Sequence, residues 1–149
     1  MTKTPRPRSK RPENGRAAKP RATRKPRLPR ELTLAIEAAA SRKATDIIVL
    51  DLRQTGAFTD YFVICTGGNP RQVHAIADAV EQALKTIKVR PAHVEGYDRA
   101  EWVLVDYFDF IVHVFSANAR QFYGLERLWG EATRIEIGED AGPDHQARA

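Results

Sequence analysis

"DIIVLDLRQTGAFTDYFVICTGGNPRQVHAIADAVEQALKTIK", residues 46–88, decides the fold. Its first segment, Asp46–Leu52, is an unbroken apolar run of strand length, rich in β-branched residues. Such a run predicts a strand buried on both faces. "RQTGAFTD" supplies a loop, and Tyr61–Gly67 is a second strand of the same kind. Asn69 then offers an N-cap, with Pro70 at the first helical position, where its missing N–H costs nothing. Val73, Ile76, Val80, Leu84 and Ile87 recur at spacings of three or four, the stripe of an amphipathic helix that packs on a sheet. Two doubly buried strands followed by such a helix predict an α/β domain.

Upstream, "LTLAIEAAASRKA" places Leu32, Ile36 and Ala39 or Ala40 among strong helix formers, which predicts a first helix ending near Ala44. Downstream, "PAHVEG" reads as a short third strand. Trp102–Asp106 and Phe110–Phe115 read as a hairpin pair, and Ser116 can cap a last helix. In that helix Phe122, Leu125 and Trp129 form a stripe, and Gly124 in its interior costs up to ~1 kcal/mol relative to alanine. The predicted order is helix, strand, strand, helix, strand, strand, strand, helix: a mixed sheet of about five strands with helices packed on it. The polar tail, 138–149, is expected to fray.

The chain of 149 residues, 42% hydrophobic, can bury one core. Its formal charge of +5 hides a split: residues 1–30 hold 12 Lys and Arg and one acid, whereas 31–149 hold 12 against 18 Asp and Glu. A basic arm, 1–30, precedes an acidic body, 31–137. The arm holds six of the nine prolines and almost no large apolar side chain before Leu28, so it is expected to be disordered in isolation. Such charge density suits phosphate contact with RNA or DNA through counterion release, the alternative being a solubilising tail. The arm lacks the apolar stretch of a secretory signal, and its prolines oppose the amphipathic helix of an organellar presequence. No apolar run approaches the roughly 20 residues that cross a bilayer, so no membrane partner is expected. Cys65 is the single cysteine, which excludes an internal disulfide or a zinc site of several thiolates and suits a cytoplasmic setting.

Little here reads as catalytic. Gly67 and Gly68 precede a helix and invite comparison with a phosphate cradle, but no Lys-Ser/Thr pair or third glycine follows. A nucleotidyltransferase would need two carboxylates two apart on one strand face to hold a divalent metal. Asp78 and Glu81 are three apart on a helix, and Asp106 and Asp109 three apart across a bend. Cys65 inside "FVICTG" reads as a small buried hydrophobe, and His113 inside "IVHVF" as a hydrogen-bonded structural imidazole. His74, His93 and His145 share no ligand spacing with it. The expectation is no catalytic residue, no metal and no cofactor, with a nucleotide-handling enzyme as the alternative.

The hairpin "EWVLVDYFDFIVHVF" reads better as a surface that grips a partner. Alternation puts Trp102, Leu104 and Asp106 on one face and Val103 and Val105 on the other. Trp102 beside Glu101, with Asp106, Tyr107 and Asp109 at the far turn, makes an aromatic anchor in an acidic rim, suited to a basic partner. Sheet-edge packing and a solvated turn are the alternative.

"DYFVICTG", "RQVHAIADAVE", "VEG", "WVLVDY", "DFIVHVF" and "FYGLERLWGEA" occur in the order and spacing of the ribosomal silencing factors, the Iojap-like or RsfS proteins, which the chain resembles from about Leu32 to Ala132. The resemblance implies a nucleotidyltransferase-like α/β fold without the catalytic carboxylates. It further implies binding to ribosomal protein number fourteen on the large subunit and steric exclusion of the small subunit, lowering translation when nutrients or energy are short. The family's tryptophan motif falls on Trp102 and its acidic turn on Asp106 and Asp109, with Tyr107 expected to add contact area. Members of the family self-associate, so a homodimer using Trp102 or the last helix is a further expectation. Contact of the arm with ribosomal RNA is an inference from its charge alone. Two departures stand out: Gly67-Gly68-Asn69 where many members have Gly-Thr-Ser, and Phe108 where many have glycine. If that turn needs a positive φ, phenylalanine strains it.

Overall fold

The computed structural model describes residues 27–138, so most of the arm and the tail from 139 lie outside the described residues. Helix α1 (Arg30–Ser41) leads into β1 (Thr45–Asp51), β2 (Tyr61–Gly67) and helix α2 (Pro70–Lys85). Then come β3 (His93–Glu95), β4 (Trp102–Asp106), β5 (Phe110–Ser116), the short helices α3 (Ala117–Tyr123) and α4 (Leu125–Leu128), and β6 (Thr133–Glu136). The six strands form one mixed sheet in the order β3-β4-β5-β2-β1-β6. Only the central β2–β5 pair is parallel.

The parallel pair lies where the sequence is most apolar, and every residue of β2 is buried. One face of the sheet carries Val49, Val63, Cys65, Val103, Val105, Val112 and Val114 and packs against α1 and α2. The α2 stripe supplies Val73, Ile76, Val80 and Leu84 to that core, each fully buried. The other face carries Ile48, Leu50, Phe62, Ile64, Ile111 and Phe115, with Leu125 and Trp129 over part of it. Fully burying one such aliphatic side chain contributes roughly 1.5–3 kcal/mol.

Three expectations are corrected. The sheet has six strands rather than about five, because Thr133–Glu136 adds to the outer edge of β1. The last helix is two helices, because Gly124 is a left-handed C-cap, φ 54°, rather than an interior residue. The kink leaves Phe122 exposed while Leu125 and Trp129 turn to the core, so no single Phe122–Leu125–Trp129 stripe exists. Arg120 fastens this kink to the sheet, donating to Glu126 at 2.9 Å and to Thr66 Oγ1 at 2.8 Å. Finally, α1 stops at Ser41, three residues before Ala44, where Lys43 takes a φ of 68°.

Candidate partner-binding surface

The β4–β5 hairpin forms as its alternation requires: Val103 and Val105 are buried, while Trp102, Leu104 and Asp106 are half-buried on the opposite face. Cross-strand pairs put Trp102 opposite Phe115, Leu104 opposite His113 and Asp106 opposite Ile111. Trp102 and Asp106 therefore mark the two ends of one strand face, roughly 14 Å apart at ~3.4 Å per residue. The outer strand β3 pairs His93 with Asp106 and Glu95 with Leu104, so an exposed His93–Glu95 contact lines the edge of this face.

At the Trp102 end, the indole packs against Phe115 and Tyr123, with ring centroids 4.9 and 4.7 Å apart. Its Nε1–H donates to His113 Nδ1 at 3.0 Å. That bond leaves Nδ1 as acceptor and places the neutral ring's proton on Nε2, which is buried with no partner among the described residues. Burial pushes the His113 pKa down to about 3. The unfolded chain, at about 6.5, thus binds a proton that the folded chain refuses. The stability due to this imidazole is fully present above pH ~6.5 and is lost as pH falls toward 3, by up to about 1.4 kcal/mol per pH unit. Between about pH 6.5 and 5, above most carboxylate titration, the urea midpoint should drop, and His113→Leu should flatten the drop. An unchanged midpoint across that window would sink this assignment.

At the other end, Tyr107–Asp109 reverse the chain. Phe108 has a φ of 73°, so the turn keeps the left-handed geometry that glycine favours. Asp106 Oδ1 accepts the Phe108 N–H at 2.8 Å, and Thr59 Oγ1 donates to the Phe108 carbonyl at 2.6 Å. The Asp60 N–H donates to the Asp109 carbonyl at 2.9 Å. These bonds staple the 52–60 loop to the hairpin turn, and on the two stapled loops Phe58 and Phe108 stand 81% and 73% exposed. A left-handed non-glycine residue costs roughly 1–2 kcal/mol, of which glycine's larger unfolded entropy offsets ~0.5–1. Phe108→Gly should therefore raise the thermal midpoint by a few degrees, about 6 °C at most. A lower midpoint would mean that the Phe108 ring packs in a way its exposure conceals.

The five residues expected at this surface divide. Glu101 and Asp109 are exposed, and Trp102 and Asp106 half-buried. Tyr107, however, is 7% exposed and stacked on Phe110, so it supports the turn from beneath and adds almost no contact area. Burial, with Glu81 nearby, raises the pKa of its hydroxyl, which has no hydrogen-bond partner among the described residues. Sequence reasoning missed Glu95 and Phe58; the period-two pattern of "HVE" carried a signal for the first.

Elsewhere, the groups with catalytic potential are engaged in structure. Cys65 is fully buried, and burial pushes its thiol up to about 12. The Gly68 N–H is taken by Gln72 Oε1 at 2.6 Å and the Gln72 N–H by Asn69 Oδ1 at 2.8 Å, so the turn after β2 is closed on itself as a helix cap. A Cβ on Gly67 would lie 3.0 Å from the Val73 backbone nitrogen, which accounts for glycine there by close strand–helix approach. Among the described residues, no three His, Cys, Asp or Glu groups are placed to hold a metal ion, and no helix is long and apolar enough to cross a membrane.

Comparison with known proteins places these features. Residues 25–149 match the family model described as "Ribosomal silencing factor during starvation". A ribosomal silencing factor of Bacillus subtilis is 41% identical over 106 residues, 71% of this chain and 90% of that protein. A mouse protein named for mitochondrial assembly of the ribosomal large subunit is 29% identical over 102 residues, 66% of this chain and 45% of its own length. A crystal structure of a Chromobacterium violaceum protein superposes with a TM-score of 0.65 at 40% identity, covering 67% of this chain and 83% of that one.

Proposed function

Because the chain belongs to the ribosomal silencing factor family, we propose that it docks on the large ribosomal subunit through ribosomal protein number fourteen. Docked there, it sterically blocks the small subunit from joining, and so represses translation under nutrient or energy limitation. The observation that carries this reading is the hairpin face itself: a half-buried Trp102 with exposed Glu101 at one end, and Asp106 and Asp109 at the other. An aromatic set in a pocket supplies binding energy, and an acidic rim steers a basic protein into register. The large subunit as partner is supported by the mouse relative, whose name describes assembly of that subunit. No chemistry is required; a bound domain need only occupy volume that the small subunit requires, at an affinity exceeding the joining equilibrium.

The basic arm adds a second contact. Its 12 Lys and Arg are proposed to meet ribosomal RNA phosphates beside the docking site, adding affinity that falls with salt through counterion release. Trp102 and Tyr123 share one aromatic cluster, so a homodimer built on α3 would cover Trp102 and compete with the ribosome.

Co-sedimentation with purified large subunits tests the docking face. Glu101 and Asp109 are exposed, so Glu101→Lys/Asp109→Lys should leave the fold intact. It should weaken binding about tenfold or more, chiefly through a slower association rate. Equal pelleting of wild type and variant would place the contact elsewhere.

A further inference from the structure

Beneath the hairpin turn lies a cleft of about 190 Å³, and the N-terminal arm leaves the body at its edge. Pro29 forms one wall and Tyr107, Phe110 and Val89 the apolar floor, while Glu31, Asp60 and Asp109 supply the rim. Three acids and no Lys or Arg line it; Lys88 and Arg90, the bases flanking Val89 in sequence, are exposed outside it. Tyr61 also lines the cleft, and the Arg53 guanidinium lies 5.3 Å from its ring, held on Asp51 at 2.9 Å. Tyr107 is more than nine-tenths buried, lines this cleft, and its hydroxyl has no hydrogen-bond partner among the described residues. A guanidinium in the cleft would lay its methylene stem on the apolar floor and meet the carboxylates at the rim.

The sequence ending at this cleft matches it chemically. "RATRKPR", residues 21–27, brings four bases within ~7–30 Å of Pro29 at up to ~3.6 Å per residue. So short a tether gives a local concentration of order millimolar, which makes weak charge pairing sufficient. We propose that the Glu31–Asp60–Asp109 cleft is a binding site for an arginine- and proline-rich segment, and that in the free protein its occupant is residues 1–26 of this same chain. The bound arm covers Asp109 and so shields the docking face from other basic partners. RNA phosphate competes with the cleft for the same cations, so arrival at the ribosome withdraws the arm and bares the turn. Only that consequence rests on the ribosomal reading; the contact itself is measured without a ribosome, so the two can fail separately.

The test is paramagnetic broadening in the full chain. A nitroxide on Ser9→Cys reports the arm, and Cys65 needs no removal because it is fully buried. At low salt the amide signals of Asp60 and Asp109 should broaden about twofold or more beyond that of Gly67, one strand length away, and ~1 M salt should abolish the difference by cutting the Debye length to ~3 Å. Asp60→Asn/Asp109→Asn should abolish it at low salt as well. Uniform broadening, broadening centred elsewhere, or selective broadening that survives both the salt and the double substitution would each overturn the proposal.

Discussion

Trp102→Ala should abolish measurable silencing while lowering stability by an amount the structure accounts for. The indole is half-buried against Phe115 and Tyr123 and donates the bond that His113 Nδ1 accepts. Its loss removes that packing and leaves a buried imidazole acceptor unpaired, together on the order of 2–4 kcal/mol. On the proposed docking face the same truncation removes the aromatic anchor, for which a loss of at least ~2 kcal/mol, roughly thirtyfold in Kd, is expected. Thermal melts separate the two effects: affinity for large subunits is compared well below the variant's midpoint, where both proteins are folded. Trp102→Phe keeps a ring but not the N–H, so it should recover part of the affinity and little of the His113 pairing. Unchanged affinity in the folded alanine variant would remove Trp102 from the docking face.

Gly96→Ala carries the largest expected cost in stability for a single methyl group. Gly96 has a φ of 78°, and a Cβ there would lie 2.1 Å from the carbonyl oxygen of Trp102. That oxygen is backbone, so relief requires the end of β3 and the start of β4 to separate. Left-handed strain of ~1–2 kcal/mol plus the steric clash should exceed ~3 kcal/mol, about 12 °C or more in Tm. Because the residue that must move bears the Trp102 side chain, large-subunit affinity should fall along with stability. A midpoint within a few degrees of wild type would mean that the β3–β4 turn yields more readily than its geometry indicates.

The sequence was most legible where one residue class settles the environment. The apolar runs of β1 and β2 and the Val73–Leu84 stripe of α2 can be buried in only one way, and these elements formed as expected. The strand Thr133–Glu136 was illegible because it offers one inward apolar residue, Ile135, and is held by backbone pairing with β1, which local pattern does not report. Gly124 was read as a weak point in a helix because composition does not distinguish an interior glycine from a left-handed cap. At the surface, the exposure of Glu101 and Asp109 and the half-burial of Trp102 and Asp106 were legible from residue type and alternation. Tyr107 was misplaced because it was grouped with the acids of the turn, although the alternation runs on through it: it shares the parity of Val103 and Val105 and is buried in the same core. Phe58 was invisible because its proximity to the turn depends on the Thr59–Phe108 bond, which spans 49 residues of sequence. Phe108 was flagged for the right reason: the turn does take a positive φ, and Asp106 and Thr59 hold it there.

Light scattering of purified small and large ribosomal subunits mixed in magnesium measures silencing without intermediaries. Large subunits preincubated with the full chain should fail to form the larger particle, and preincubation with Glu101→Lys/Asp109→Lys should leave joining largely intact. Joining that proceeds unchanged in the presence of saturating wild-type protein would contradict the proposed block of subunit association.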